Sequence, residues 1–523
     1  MIAIRSRRWY YLLCHPYSLF CFAVVWRYRL AFEIPGVAKI ADLSIAIGIV
    51  LASILFWSGY ILLKEKYIIF ISQKCFGKIK TTDNNNILLP SWGFWFFFFL
   101  ALIIIISIFS TDYLFYKGDF HRIFFTHYRM KESGEIGAVW HPLLLSTIRY
   151  FLMFFRHIPI FIALPLLFEA LNNKRAINSL TIIASYSLVI LSLTQISLIG
   201  NRTFPAAALL ATILLVFTTF LYSTRRLYKI AIPLLLIFTC YTILFILFLP
   251  VFRNLGFHEF MTKSQKVFTQ TGIKTLYAGL LAKTKSVEVP TSLKVEEKSN
   301  NIHSKIKSDD NVLSETENHD SVYESLQFLF GTDTRSMTSS EKSKLLIEEK
   351  NFLQNYPVTY SISKEIAWVM MYYGRHKEYV GMFNNPRYVF YTLLPSRIKD
   401  KSLTHVGNIV GKDKWGESSP SNSVVGPFGE GYVSYGFIGG YFYWSIFALI
   451  SGLLSKFAIV CLFTKNPRFE LLPLSLFILV IGHHLMWQGL SAFIHPLCGF
   501  LTLIIFYAVI VRVIESKKHS SNI

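Results

Sequence analysis

Residues 91–114 read SWGFWFFFFLALIIIISIFSTDYL. From Phe94 to Phe109 the only polar side chain is Ser107, and no charge appears before Asp112. A helix of about 20 apolar residues crosses a hydrocarbon layer of about 30 Å. In lipid every backbone N–H and C=O must be satisfied internally, which leaves only helices and closed barrels. The apolar residues here are continuous rather than alternating, so a helix is expected and a barrel strand is not.

Working outward, comparable runs occupy residues 17–30, 41–63, 143–168, 179–199, 203–222, 230–252, 434–463, 471–490 and 497–513. The expected fold is therefore an all-α polytopic membrane protein of about ten transmembrane helices. Composition agrees. Of 523 residues, 53% are hydrophobic and 16% charged, against about 25% charged in an average soluble domain. The first run is the shortest and suits an interfacial or re-entrant segment as well as a crossing, with Arg27 and Arg29 snorkelling to the interface.

The longest gap between runs lies between the seventh and eighth helices. It divides the chain into an N-terminal bundle (1–252), a large extracytoplasmic loop (253–433) and a C-terminal bundle (434–523). Within the loop, residues 283–343 are rich in Lys, Glu, Ser, Asn and Asp and poor in aromatics, a composition that does not build a core. From residue 345 onward aromatics, Pro and Gly return. Residues 362–373 have a helical apolar pattern, and 384–394 read as loop or short surface helix.

Orientation follows from the short loops. With the N-terminus inside, the inner segments (5–8, 64–80, 174–175, 225–229, 465–468 and 512–518) carry about three times as many Lys and Arg as the outer ones (39, 117–131 and 202), as the positive-inside rule requires. Both termini are then cytoplasmic and the large loop faces outward. The net charge of +21 is accounted for by these loops and needs no nucleic-acid partner. All six cysteines, at 14, 21, 75, 240, 461 and 498, lie outside the large loop, so no disulfide staples it. No cleavable signal pattern is expected, because Arg27, Arg29 and Glu33 follow the first run.

Several residues are placed to carry chemistry. Arg202 sits in the outward turn Gly200-Asn201-Arg202 between two apolar runs. It is either an interface anchor or a planar fork for phosphate. Arg149 and Arg156 lie seven residues apart in one span and share a helical face. A charge there costs at least about 2.5 kcal/mol, so the pair either has a structural partner such as Glu169 or lines the path of an anion. Pro159 and Pro165 are positioned to break that helix. Arg253, Arg375, Arg387 and Arg397 add outward positive charge.

The stretch Gly426-Pro427-Phe428-Gly429-Glu430-Gly431-Tyr432-Val433-Ser434-Tyr435-Gly436 leads into the eighth span. Its glycines mark turning or close-packed backbone. Glu430 is its one carboxylate, either an ion-pair partner or a general base. His405, Glu417, His483, His484 and His495 are rival bases. The sequence holds no Asp-x-Asp pair, no His-Glu-x-x-His, no Gly-x-Ser-x-Gly and no phosphate-binding loop. It gives no support to nucleotide-sugar chemistry, zinc proteolysis or ATP hydrolysis, and it calls for no metal and no cofactor.

Three of these places resemble the O-antigen polymerases, or oligosaccharide repeat-unit polymerases of the Wzy type. They are Gly200-Asn201-Arg202, the loop segment Leu394-Pro395-Ser396-Arg397-Ile398, and the entry Gly426–Gly436 bearing Glu430 and Tyr432. The chain departs from the family's Pro-Arg motif by the intervening Ser396. Residues 283–343 look like an insertion.

The resemblance implies a GT-C-like glycosyltransferase of the bacterial inner membrane. It would join undecaprenyl-pyrophosphate-linked oligosaccharides at the periplasmic face, without a metal. It also implies roles: Arg202, Arg387 and Arg397 clamping pyrophosphate with Arg253 and Arg375 nearby, Arg149 and Arg156 lining lipid-phosphate entry, Glu430 orienting or deprotonating the acceptor, and Tyr432 and His405 at the acceptor sugar. The implied partners are the lipid-linked oligosaccharide, the bilayer, and a chain-length regulator and flippase of the same pathway. Three alternatives remain: an O-antigen ligase, a flippase of lipid-linked sugars, and a non-catalytic envelope assembly component.

Overall fold

The computed structural model describes residues 15–28, 37–76, 91–115, 143–172, 179–198, 207–213, 215, 240–241, 338, 340, 362–373, 377–381, 384, 387–388, 405–415, 424–463, 469–487, 489 and 491–520. Among these the protein is helical, with no strand and one isolated bridge, Tyr373 to Lys377. The chain divides into two compact units, Met1–Pro250 with Ile347–Ile523, and Val251–Leu346. Of the second unit only Thr338 and Ser340 are described. The polar insertion at 283–343 thus lies almost wholly outside the described residues. The spans expected at 203–222 and 230–252 also lie mostly outside them.

In the first unit the helices are α1 (Pro16–Arg27), α2 (Val37–Leu62), α3 (Glu65–Phe76), α4 (Ser91–Phe115), α5 (Leu143–Phe155), α6 (Ile158–Asn172), α7 (Ser179–Leu198), α8 (Ile362–Tyr372), α9 (Val406–Trp415), α10 (Gly426–Phe463), α11 (Leu472–Ile481), α12 (His484–Trp487) and α13 (Ser491–Ser520). Among the described residues six stretches are long and apolar enough to cross a membrane: Ala41–Leu62, Trp92–Leu114, Thr147–Ala170, Gly426–Leu462, Phe469–Trp487 and Phe493–Ile510. Shorter apolar helices occupy Pro16–Val25 and Leu180–Ile196. The protein is a multi-pass membrane protein. Leu43, Val50, Ile54 and Ile61 on α2 are exposed, as are Ile103 and Ile106 on α4 and Ile505 and Val509 on α13. Such apolar faces suit lipid rather than water. By contrast the Phe469–Trp487 stretch is 89% buried and runs through the middle of the bundle.

Three expected spans depart from straight crossings. Residues 143–168 form two helices, with a turn at Arg156 and His157. Pro159 is the second residue of α6 and Pro165 lies within it, so only the first proline coincides with the break. This fits proline's tolerance in a first helical turn. The span expected at 434–463 begins earlier, at Gly426, and kinks at Tyr435 and Gly436, where Gly436 has φ 60°. The span expected at 471–490 breaks at Gly482 and His483. Carbonyls near that break have side-chain partners on α10: Ser451 donates to the Gly482 carbonyl (3.3 Å) and the Trp444 indole N–H to the Met486 carbonyl (2.8 Å). Broken helices persist at membrane depth only when their backbone is satisfied in this way.

The kink folds the start of α10 back on the rest of that helix. A Cβ at Gly431 would run into the Gly439 backbone, and one at Gly439 into that of Gly431. Phe428 packs edge-on to Tyr441 and Trp444, and Tyr432 to Phe437. Loop backbone then caps the short arm, as Val380 N–H donates to the Val433 carbonyl (3.0 Å) and Gly381 N–H to the Ser434 carbonyl (3.1 Å). These carbonyls otherwise lack partners at a helix end.

Helix α10 packs against α2 at glycines. A Cβ at Gly452 would run into the Phe56 carbonyl oxygen, and one at Gly59 into that of Leu449. With no water to drive association between helices in lipid, close backbone approach through small residues supplies the attraction. Gly452→Ala is expected to lower stability by about 1–3 kcal/mol, an overpacking cost. A thermal unfolding scan in detergent reads it, and an unchanged Tm would show that the two helices separate freely at this point.

Candidate functional site

Glu430 lies on the short arm of α10, 4% exposed. Its two neighbours are close-packed glycines: Gly431 lies against the Gly439 backbone, and Gly429 against the side chains of Val425 and Ile366. Ser434 donates to the Glu430 main-chain carbonyl (2.8 Å) and braces the turn that carries it.

His405 stands against the carboxylate, with its Nε2 3.4 Å from Glu430 Oε1. The reason for this aim is local. His405 precedes α9, and its Nδ1 accepts the Gly407 backbone N–H (3.1 Å) while its carbonyl accepts from Asn408 and Ile409. It is the N-cap of α9. A ring whose Nδ1 accepts must, when neutral, carry its proton on Nε2. That proton faces Glu430, so the histidine presents a donor to the carboxylate and keeps no free lone pair as a base.

Two tyrosines approach from other parts of the chain. Tyr28, just beyond α1 and 5% exposed, stacks on Trp444 with ring centroids 5.7 Å apart and lies within electrostatic reach of Glu430. Tyr388, on the loop, packs against the His405 ring at 5.1 Å. Its hydroxyl is pushed above the ordinary tyrosine range by burial first and by the Glu430 charge second. Two left-handed glycines pack against this group. A Cβ at Gly489 (φ +85°) would sit 2.9 Å from Glu430 Oε2, and one at Gly426 (φ +67°) 2.9 Å from the Tyr28 hydroxyl and 3.2 Å from the Trp487 carbonyl.

The loop elements are tied to the bundle. Helix α8 packs on α2 and α10. Lys414 of α9 reaches back to Glu365 of α8 (2.6 Å) and lies over the Trp368 ring. Burial lowers the Lys414 ammonium, offset by Glu365. Asp413 accepts from Lys377 (2.7 Å) and from the Tyr373 hydroxyl. These links hold His405 in place over Glu430.

A second charged group lies within the bundle. Arg149 Nε is 2.9 Å from Asp112 Oδ1, and Arg156 reaches Asp112 Oδ2 at 3.4 Å. Ile108, Thr111, Leu152 and Met153 complete a small cleft around them. Asp112 on α4 is a partner of both arginines, and the sequence reading did not single it out. Tyr150, next to Arg149, lies within electrostatic reach of Tyr388.

Among the residues expected from sequence, Glu430 and His405 are brought together and Arg149 and Arg156 share an acidic partner. Arg387 is exposed beside Tyr388. The Tyr432 ring is buried among Phe428, Phe437 and Tyr379, so its faces are taken up by packing. Arg202, Arg253, Arg375 and Arg397 lie outside the described residues. Sequence reasoning missed Tyr28, Tyr388, Gly489 and Asp112. Only Asp112 had a signal of its own, as the one charge in an otherwise uncharged run.

Fold and site together define a class: an all-α multi-pass membrane protein with a buried His–Glu pair between the residue that precedes α9 and the short arm of α10. Protein-family models, curated proteins and solved structures give no match to the chain.

Proposed function

We propose that the protein is a glycosyltransferase that polymerises undecaprenyl-pyrophosphate-linked oligosaccharide repeat units into O-antigen or a related surface polysaccharide, at the periplasmic face of a bacterial inner membrane. The observation that carries this reading is the Glu430–His405 pair. It is a buried carboxylate with an N–H donor beside it and tyrosines nearby, at the start of a helix long and apolar enough to cross a membrane. In this reading a lipid-linked sugar presents its reacting atoms there.

In this reaction a hydroxyl oxygen of the acceptor unit bonds to the anomeric carbon of the donor chain. The bond from that carbon to the pyrophosphate oxygen breaks, and pyrophosphate leaves with the bonding pair. Glu430 takes the acceptor proton, with His405 Nε2–H holding the carboxylate in place. Pyrophosphate is a good leaving group, so the remaining work is positioning and neutralising charge. Arg202, Arg387 and Arg397 are assigned that work. Arg149 and Arg156 are assigned to the lipid-phosphate path.

A lipid-linked oligosaccharide flippase is the second reading. The Arg149–Asp112–Arg156 group favours it, because transport needs charge within the helices. Deleting the gene in its host and resolving the surface glycan on a gel separates the two. Loss of the long ladder with one repeat unit still attached is expected for the polymerase. Loss of every attached repeat would instead indicate the flippase or a ligase.

A further inference from the structure

The Tyr28 hydroxyl is buried and, among the described residues, has no hydrogen-bond partner. Leaving a buried donor unmatched costs about 1–3 kcal/mol, and this one lies in the field of a carboxylate. His405 Nε2, at 3.4 Å from Glu430, likewise lacks a hydrogen bond of good geometry. Two buried donors from separate parts of the chain thus have their hydrogen bonds unmade, one 3.4 Å from the acid and the other within its electrostatic reach. The Tyr28 ring itself is fixed by its stack on Trp444, and Gly426 leaves the hydroxyl just enough room.

We propose that Tyr28 is a substrate-binding residue. Its hydroxyl, His405 Nε2–H and the Glu430 carboxylate form a subsite for the edge of the acceptor sugar. The inference rests on the polymerase reading and extends it to the segment before the first loop, whose part in the site the sequence did not reveal. The chemistry fits a neutral polyol. Each sugar hydroxyl both donates and accepts, so adjacent hydroxyls can give a proton to the carboxylate while accepting from Tyr28 and His405. Pyrophosphate, which only accepts, would be repelled by the carboxylate. Glu430 is 4% exposed, so the sugar edge enters as Tyr388, which packs on the His405 ring, moves aside.

The test uses the full-length protein in lipid nanodiscs, the host's lipid-linked repeat unit as donor, and the same oligosaccharide as an octyl glycoside. The glycoside carries no pyrophosphate and can only accept. Tyr28→Phe keeps the ring on Trp444 and removes the hydroxyl. The expected result is a rise of about tenfold in KM for the octyl glycoside, equivalent to about 1.4 kcal/mol, with the donor KM and the Tm unchanged. An unchanged acceptor KM, or equal rises for donor and acceptor, overturns the inference while the polymerase reading stands. If the wild-type protein does not extend the glycoside, the polymerase reading fails and the inference falls with it.

Discussion

Glu430→Gln is expected to reduce the host's long glycan ladder to chains of one or a few units, with turnover in nanodiscs down by about 10²–10⁴, the range for loss of a positioned general base. Glutamine matches glutamate in size, so the packing against Gly489 and the arm of α10 is retained. Its amide oxygen still faces His405 Nε2–H but it cannot take a proton. Protein level and Tm should therefore stay near wild type. Ladder length unchanged at equal protein level would remove Glu430 from the chemistry. His405→Gln is a useful companion, since a residue that only holds the carboxylate should cost less than the carboxylate itself.

The second large effect concerns stability. Asp112→Ala leaves Arg149 and Arg156 without the carboxylate that bridges them. Removing one partner of a buried charge pair costs about 3–5 kcal/mol. The arginine side chains here are 18% and 21% exposed, which places the expectation at the lower end. A clear fall in Tm and in the amount of folded protein should follow. The double variant Asp112→Ala with Arg149→Ala should recover part of the loss, because the stranded charge goes with its partner. A double-mutant cycle with no coupling would mean that the pair contributes nothing. The measurement also bears on function. If the arginines bind a lipid phosphate, added undecaprenyl phosphate should raise the Tm of Asp112→Ala more than that of the wild type.

The two groups are read from sequence with unequal success. Arg149 and Arg156 are conspicuous because a charge inside an apolar run is costly, and that cost demands a partner. The identity of the partner is not local. Asp112 meets them only because α4 packs against α5. Glu430 is conspicuous as the one carboxylate in a glycine-rich entry. Its link to His405, 25 positions away, depends on α9 being tied back to α8 through Lys414 and Glu365. Tyr28 and Gly489 carry no sequence signal, since a tyrosine at a helix end and a glycine before a helix are ordinary. They matter only for what lies against them.

Local sequence determined the solvent in which this protein folds. Hydrophobic length is a property of a continuous stretch, so the runs at 41–63, 91–114 and 497–513 specify helices wherever they are read. The run at 143–168 specifies helical structure but not that it would come as two helices broken at Arg156. Glycine spacing at 426–436 marked turning or close-packed backbone. Tertiary structure decided that the approach is α10 folding back on itself, that the Phe469–Trp487 stretch breaks in the middle of the bundle, and which side chains meet at Glu430. The physical reason is range. Desolvation of apolar groups acts residue by residue and is written in composition, whereas hydrogen bonds and ion pairs act over about 3 Å and exist only once packing has brought distant segments together.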